Sequence, residues 1–443
     1  MRVLVLIDGE HYPSVTRWGI QAARTMGYEV LAALFLGGTE KVLPGGLPDL
    51  GVPVLPATED RMRALADAIG EIRPEAVLDL SDEPVVGYRE RMELAAVTLV
   101  RGIRYLGPDF RIDPPIFGPP LPVPTLAVIG TGKRAGKTAI AGEVARVALR
   151  AGCEPVVVAM GRGGPPEPQV AEGGSVDVGR LLELARRGEH AASDYLEDAM
   201  TSGVTTVGAR RFGGVLAGAP LVTNVREAAQ RAVALGAGLV ILEGSGSAVP
   251  PIPWDVGILV VPASAPPEYL GGYLGPYRLL LSDLVVLTMA GSPQAGSENL
   301  LALRFHVQRF RGDARLIVTD FEPVPLGDVR GRDAFFTTTA PGAVAARQVA
   351  SLEAAHGVRV VGWSARLADR AGLAEDMDKA ERYDVLLTEL KAAAVDVACD
   401  RALARGAQVV FVDNRAVVTE GDENLQTVLA QTIDLARKRR EGR

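Results

Sequence analysis

A nine-residue stretch, Gly130-Thr-Gly-Lys-Arg-Ala-Gly-Lys-Thr138, separates an apolar run, Leu126-Ala-Val-Ile129, from a segment in which Ile140, Val144 and Val147 recur at helical spacing. Strand, glycine-rich turn and helix in that order restrict the chain to an α/β fold built on a parallel sheet, with this unit as a phosphate-binding loop. The N–H groups of such a turn point into one concavity, and the first turn of the helix adds unpaired donors and the positive end of its dipole. The spacing places Lys137 on the β- and γ-phosphates and Thr138 on Mg²⁺, with Gly130, Thr131, Gly132, Lys133, Ala135 and Gly136 around the nucleotide. Thr131 stands where the commonest form of the loop has its first glycine. A glycine-rich turn can be plain α/β geometry, but the Gly-Lys-Thr ending supplies a charge and a hydroxyl that a bare turn does not need.

Lysine usage sharpens this reading. Only six of the 47 basic side chains are lysine, at 41, 133, 137, 379, 391 and 438, and two of the six fall in this loop. A compact ammonium and a planar guanidinium are not equivalent at a phosphate. Lys133, Lys137 and Lys391 are therefore positions where the ammonium itself is expected to matter, and Lys133, Arg134 and Lys137 are the candidates to act on the transferring phosphoryl group. The net charge of −7 argues against a general nucleic-acid footprint but not against small anions, provided the cations gather in one pocket. No apolar stretch approaches the ~20 residues of a membrane span. The opening Met1-Arg-Val-Leu-Val-Leu-Ile-Asp reads as a strand rather than a secretory signal, and two cysteines make no disulfide framework. A cytoplasmic protein without membrane or nucleic-acid partners is expected.

Along the chain, residues 1–106 alternate apolar runs (Val3–Ile7, Val30–Leu36, Ala76–Leu80) with helical patterns near 14–26, 59–71 and 89–100, which predicts a Rossmann-like parallel sheet. Polar clusters follow the strand ends: Asp8-Gly-Glu-His-Tyr12, Gly37-Gly-Thr-Glu40 and Asp79-Leu-Ser-Asp-Glu-Pro84. Each alone can be turn chemistry. Three in one sheet favour a ligand site, with His11 as a candidate substrate contact. Seven prolines in residues 107–124 predict a stiff extended linker.

A P-loop domain is expected over 125–326 and a further α/β region over 327–443. In the former, Arg162 lies in a glycine-rich loop after Val156–Met160, and Arg210 and Arg211 sit in Gly208-Ala-Arg-Arg-Phe-Gly-Gly214. Adjacent arginines among glycines suit an anion clamp, or else a solvated loop. Glu243 ends the apolar strand Leu239–Leu242 before Gly-Ser-Gly246, the position expected for a second Mg²⁺ contact, with helix or turn capping as the alternative. Base contacts are expected near Thr288 or Phe321. The guanine-reading Asn-Lys-x-Asp is absent there, which favours adenine and hence ATP. In the last region Thr388 is expected to cap a helix over 388–398 with Lys391 in its first turn. Lysine there opposes the helix dipole, so it is read as facing a ligand.

The loop around Gly130–Thr138 resembles that of dethiobiotin synthetase. Over nearly its whole length the chain is similar to the cyclic 2,3-diphosphoglycerate synthetase family, through Ile7–Tyr12, Gly37–Lys41, Asp79–Val86, Gly130–Thr138, Val158–Pro165, His190–Asp194, Glu243–Gly246 and Thr388–Ala398. Phe212 departs from the cysteine of the family pattern. The resemblance implies a homodimer that uses ATP and Mg²⁺ to close a phosphoanhydride within 2,3-diphosphoglycerate, releasing ADP and phosphate. Arg162, Arg210, Arg211 and Lys391 would then screen the substrate phosphates. A small-molecule kinase or a nucleotide-switched binding protein would share the same loop.

Overall fold

The computed structural model describes residues 1–38, 40–41, 49–56, 58–214, 216–291 and 295–442. Thr39 of the Gly37–Lys41 motif and Arg443 at the chain end lie outside the described residues. The first 112 residues form a six-stranded sheet of β1 (Arg2–Ile7), β2 (Glu29–Phe35), β3 (Val54–Pro56), β4 (Ala76–Asp79), β5 (Arg104–Leu106) and β6 (Arg111–Ile112), in the order β3-β2-β1-β4-β5-β6. All neighbours are parallel except β6, an antiparallel edge pair of residues within the proline-rich stretch. Helices α1 (Pro13–Thr25), α2 (Arg61–Ile72) and α3 (Tyr88–Leu99) make the crossovers. Their bounds match the sequence periodicity within two residues. The three-residue strands β3 and β5 are too short to show a period of their own.

The rest of the chain builds one continuous sheet. Its P-loop part comprises β7 (Thr125–Gly130), α4 (Lys137–Arg150), β8 (Pro155–Gly161), β9 (Gln169–Ala171), α5 (Val178–Arg186), α6 (Asp194–Ser202), β10 (Thr206–Gly213), β11 (Pro220–Thr223), α7 (Val225–Ala234), β12 (Leu239–Glu243), β13 (Val256–Pro262), α8 (Glu268–Gly271), α9 (Gly275–Leu280), β14 (Leu284–Thr288), α10 (Ser297–Arg311) and β15 (Arg315–Pro325). Seven strands, β10-β8-β12-β7-β13-β14-β15, run parallel. Their centres are covered on both faces, so β7 and β12 are buried at every residue and read as unbroken apolar runs.

The C-terminal part adds β16 (Asp333–Thr337), α11 (Gly342–His356), β17 (Arg359–Ser364), α12 (Arg370–Asp378), β18 (Val385–Thr388), α13 (Asp400–Ala404), β19 (Gln408–Glu420) and α14 (Leu425–Glu441). The thirteen-residue β19 stitches the two parts together. Gln408–Phe411 pair parallel with β18, and Val412–Glu420 pair antiparallel with β15. Helix α14 then returns to the P-loop part, where Leu425, Val428, Leu429 and Ile433 share a core with Val144, Val147 and Ile241. A buried ion cluster reinforces the junction: Arg146 of α4 reaches Glu143 at 2.8 Å and Asp413 of β19 at 3.1 Å. The N-terminal sheet docks through α3 on α9, with Leu274 and Tyr277 in one apolar cluster with Leu94 and Tyr105, and Arg309 on Glu93 at 2.6 Å.

Candidate active site

The phosphate loop forms as its sequence requires. Gly136 adopts φ +89° at the start of α4, and a Cβ there would lie 2.5 Å from Phe321 Cζ, so only glycine fits. Thr288 donates its hydroxyl to Ala135 O at 2.8 Å and is itself fully buried. Thr288 and Phe321 therefore brace the underside of the loop, and Phe321 lies within β15 rather than in a loop after it. Lys133 and Arg134 are exposed at the rim, Arg134 at φ +57°.

Lys137 is nearly buried and donates to Gly132 O at 2.8 Å. Burial pushes its pKa down, with Arg211 and Arg162 pushing the same way, while Glu243 and Asp194 oppose the shift. Thr138 donates to Glu243 Oε1 at 2.7 Å, joining the helix start to the end of β12. Glu243 Oε2 and both oxygens of Asp198 are buried with no N–H or hydroxyl donor among the described residues, and the two acids lie within hydrogen-bonding reach of each other. Burial raises the pKa of both acids, and each is affected by carboxylates nearby, Asp194 for Glu243 and Glu243 for Asp198. Unsatisfied buried carboxylate beside a threonine hydroxyl fits a divalent cation. Among the described residues no three His, Cys, Asp or Glu side chains close on a metal by themselves. Mg²⁺ needs no such cage, because it takes one or two protein oxygens and completes its shell with phosphate and water.

Arg162 and Arg211 converge on the loop after Glu243. Arg211 donates to Ser245 O at 2.7 Å, and a Cβ on Gly246 would lie 2.9 Å from Arg162 Nη2 and 3.2 Å from Arg211 Nη2. The Arg210–Arg211 segment is strand β10, not a loop, because Arg211, Phe212 and Gly213 pair with β11. Period-two alternation then sends the two arginines to opposite faces. Arg211 turns to the Glu243 loop, whereas Arg210 is exposed on the same side as Phe212. The Arg162 loop is packed tightly: a Cβ on Gly163 would lie 2.3 Å from the His190 ring, and one on Gly161 3.2 Å from Asp194 Oδ2.

Lys391 enters from the C-terminal part. The expected helix over 388–398 is replaced by a turn with Ala392 at φ +48°, followed by a π-helix, Ala394–Cys399. Thr388 ends β18 and gives its hydroxyl to Glu389 O instead of capping a helix. Lys391 Nζ sits 3.2 Å from Glu197 Oε1 of α6. Burial works against the ammonium charge, but Glu197 and Glu389 outweigh it and hold the lysine protonated. Next to this turn a cavity of about 300 Å³ opens between Glu189–Ala192 and Arg370, Ala392, Val395 and Asp396. A larger cavity of about 550 Å³ lies against α2, α3 and Arg309 and is lined by no residue of the phosphate loop.

The fold thus brings Lys137, Arg162 and Arg211 around Thr138 and Glu243, within electrostatic range of Asp194, and sets Lys391 against Glu197, an acid that itself feels Asp194 and Glu243. His11 stands elsewhere, 3.2 Å from Asp8 and 3.9 Å from Asp82 in the N-terminal sheet. The acids there serve their own turns: Asp8 accepts from the Glu10 and Asp82 N–H groups, and Asp79 from Ser81 N–H and Tyr105. Sequence reading missed the roles of Glu197, Asp198 and Glu389. The first two were findable, since Asp194, Glu197 and Asp198 fall at i, i+3 and i+4 and share one helix face.

Comparison with known proteins gives the family. Residues 2–113, 125–320 and 325–415 match, in order, the N-terminal, P-loop and C-terminal domains described for cyclic 2,3-diphosphoglycerate synthetase. The synthetase of that name from Rubrobacter xylanophilus is 48% identical over 100% of this chain and 99% of its own. Those from Methanothermobacter thermautotrophicus and Thermococcus kodakarensis are 41% and 42% identical, over 98% and 97% of this chain and 96% and 98% of theirs. With all three domains matched and relatives aligned end to end, the chain belongs to the cyclic 2,3-diphosphoglycerate synthetase family.

Proposed function

We propose that this protein uses ATP to join the two phosphates of 2,3-diphosphoglycerate in an intramolecular phosphoanhydride, releasing ADP and phosphate. The observation that carries this reading is the convergence of Lys137, Arg162 and Arg211 at the phosphate loop, with Lys391 joined to the same acidic group through Glu197, in a chain whose relatives of that name align along its full length. Two phosphates that must react repel each other, by roughly 4 kcal/mol per pair of unit charges at 4 Å and an effective dielectric of 20. Fixed cations remove that barrier without having to reorganise during the reaction.

In this scheme the nucleotide lies along Gly130–Thr138, with Lys137 on its outer phosphates and Lys133 and Arg134 closing the rim. An oxygen of one substrate phosphate attacks the γ-phosphorus, the bond to ADP breaks, and a mixed pyrophosphate forms. An oxygen of the second substrate phosphate then attacks the inner phosphorus and expels inorganic phosphate. Thr138 and Glu243 would hold Mg²⁺, which supplies charge neutralisation at the β- and γ-phosphates when bound. Arg162, Arg211 and Lys391 orient the two substrate phosphates, with Arg210 and His11 assigned to substrate from sequence pattern and kinship alone. No protein nucleophile is required. No described helix is long and apolar enough to cross a membrane. Kinship supports a cytoplasmic homodimer, which light scattering of the purified protein tests.

Incubation with ATP, Mg²⁺ and 2,3-diphosphoglycerate, followed by ³¹P NMR, should show cyclic product and one ADP per ring closed. A phosphorylated open-chain product would instead identify a kinase, and tight ATP binding without substrate-dependent phosphate release a nucleotide-switched binder.

A further inference from the structure

We propose that Glu197 competes with a substrate phosphate for the Lys391 ammonium, holding the lysine in place at the pocket and yielding it when the more highly charged phosphate arrives. Glu197 is then a positioning residue for ring closure. The proposal rests on the reading above that Lys391 contacts substrate.

The Lys391 side chain is 37% exposed, whereas Glu197 behind it is 12% exposed, so an anion can reach the ammonium from the open side. The lysine position is held by an unusual backbone. Among the described residues Ala392 is one of six non-glycine residues at positive φ, and a π-helix follows at once, two features that concentrate at functional sites. Two acids flank the ammonium, and they differ in how they are held. Glu389 is fixed by donors from Thr338 at 3.1 Å, Thr339 N–H and hydroxyl at 3.1 and 2.9 Å, and Asn414 at 2.9 Å. Among the described residues, the carboxylate of Glu197 has Lys391 as its partner. Glu197 is therefore the acid that can let go. A phosphate carrying two charges attracts the ammonium about twice as strongly as a carboxylate at the same distance.

Released, Glu197 would face Asp194 and Asp198 on its own helix and Glu243 at the end of β12, with Glu389 and Asp413 on the Lys391 side. Burial, with Asp194 and Glu243 adding to it against the pull of Lys391, already holds its pKa up at about 8. Above that pH Glu197 is charged and competes for Lys391; well below it the acid is neutral and competes little.

The test is KM for 2,3-diphosphoglycerate in wild type, Glu197→Gln and Lys391→Ala from pH 6.5 to 9, with ATP saturating. Removing the competitor should lower KM at pH 9 by at least about fivefold. The wild-type and Glu197→Gln curves should converge toward pH 6.5, with kcat moving less than KM. Lys391→Ala should raise KM at every pH. A Glu197→Gln effect that is independent of pH, or that raises KM throughout, overturns the competition. An unchanged KM in Lys391→Ala overturns the substrate contact beneath it. If Glu197→Gln does not fold, calorimetry decides: diphosphoglycerate binding to wild type at pH 8 in two buffers of different ionisation enthalpy should show proton uptake that Lys391→Ala lacks. Equal heats in the two buffers overturn the proposal.

Discussion

Substituting Gly136 by alanine tests whether the brace under the phosphate loop is as rigid as its contacts indicate. The left-handed conformation at φ +89° costs an alanine about 1–2 kcal/mol. Its Cβ would also approach Phe321 Cζ to 2.5 Å and Cε2 to 2.7 Å, against a carbon–carbon optimum of ~3.5–4.0 Å, so the ring must withdraw by roughly 1 Å. The Phe321 backbone cannot move with it, because the residue pairs with Ala416 in the middle of the β15–β19 ladder. The loop is also pinned by Thr288 on Ala135 O. Overpacking of this kind costs about 1–3 kcal/mol, giving a total loss of about 2–5 kcal/mol. A phosphate cradle displaced by ~1 Å should lose about 100-fold in activity. Urea denaturation and ATP calorimetry on Gly136→Ala, Phe321→Ala and the double variant separate the two contributions. The double-mutant cycle should show Phe321→Ala costing less in the alanine background, because it relieves the overlap and leaves only the backbone strain. A Gly136→Ala protein within about 0.5 kcal/mol of wild type, or a cycle with no coupling, would refute the reasoning.

Lys137→Ala should abolish ADP formation, since the ammonium is nearly buried and already turned into the loop toward Gly132 O; near-normal turnover in a coupled ADP assay would count against the assigned nucleotide site. Glu389→Gln should alter acid stability. Burial alone would raise the pKa of Glu389, but Lys391, Asn414 and Thr339 outweigh it, so the folded-state value lies below the unfolded one. A depressed carboxylate stabilises fully above the unfolded value of ~4.3 and loses that contribution as pH falls through the folded value. Wild type should therefore lose stability on acidification below about pH 4.3 more steeply than Glu389→Gln, as read from denaturation midpoints against pH; parallel curves would show that the carboxylate charge does not matter.

The sequence by itself determined the local units. Unbroken apolar runs specified the central strands such as β7 and β12, and helical spacing specified α1, α3 and α4, because burial on two faces or one is written into side-chain order. The Gly130–Thr138 loop, the Thr138–Glu243 partnership and the interest of Arg162, Arg211 and Lys391 were legible because charged residues stand just past the ends of apolar runs. Tertiary structure alone decided what those residues face. Arg210 and Arg211 are neighbours in sequence, but strand pairing with β11 parts them. Lys391 and Glu197 are 194 positions apart and meet only because β19 folds the C-terminal part onto the P-loop sheet. Thr288 ends β14 and Phe321 lies inside β15, and tertiary packing turns both side chains to support of the loop. Pattern in a chain records whether a side chain is buried. Which partner buries it depends on long-range pairing that no local window contains.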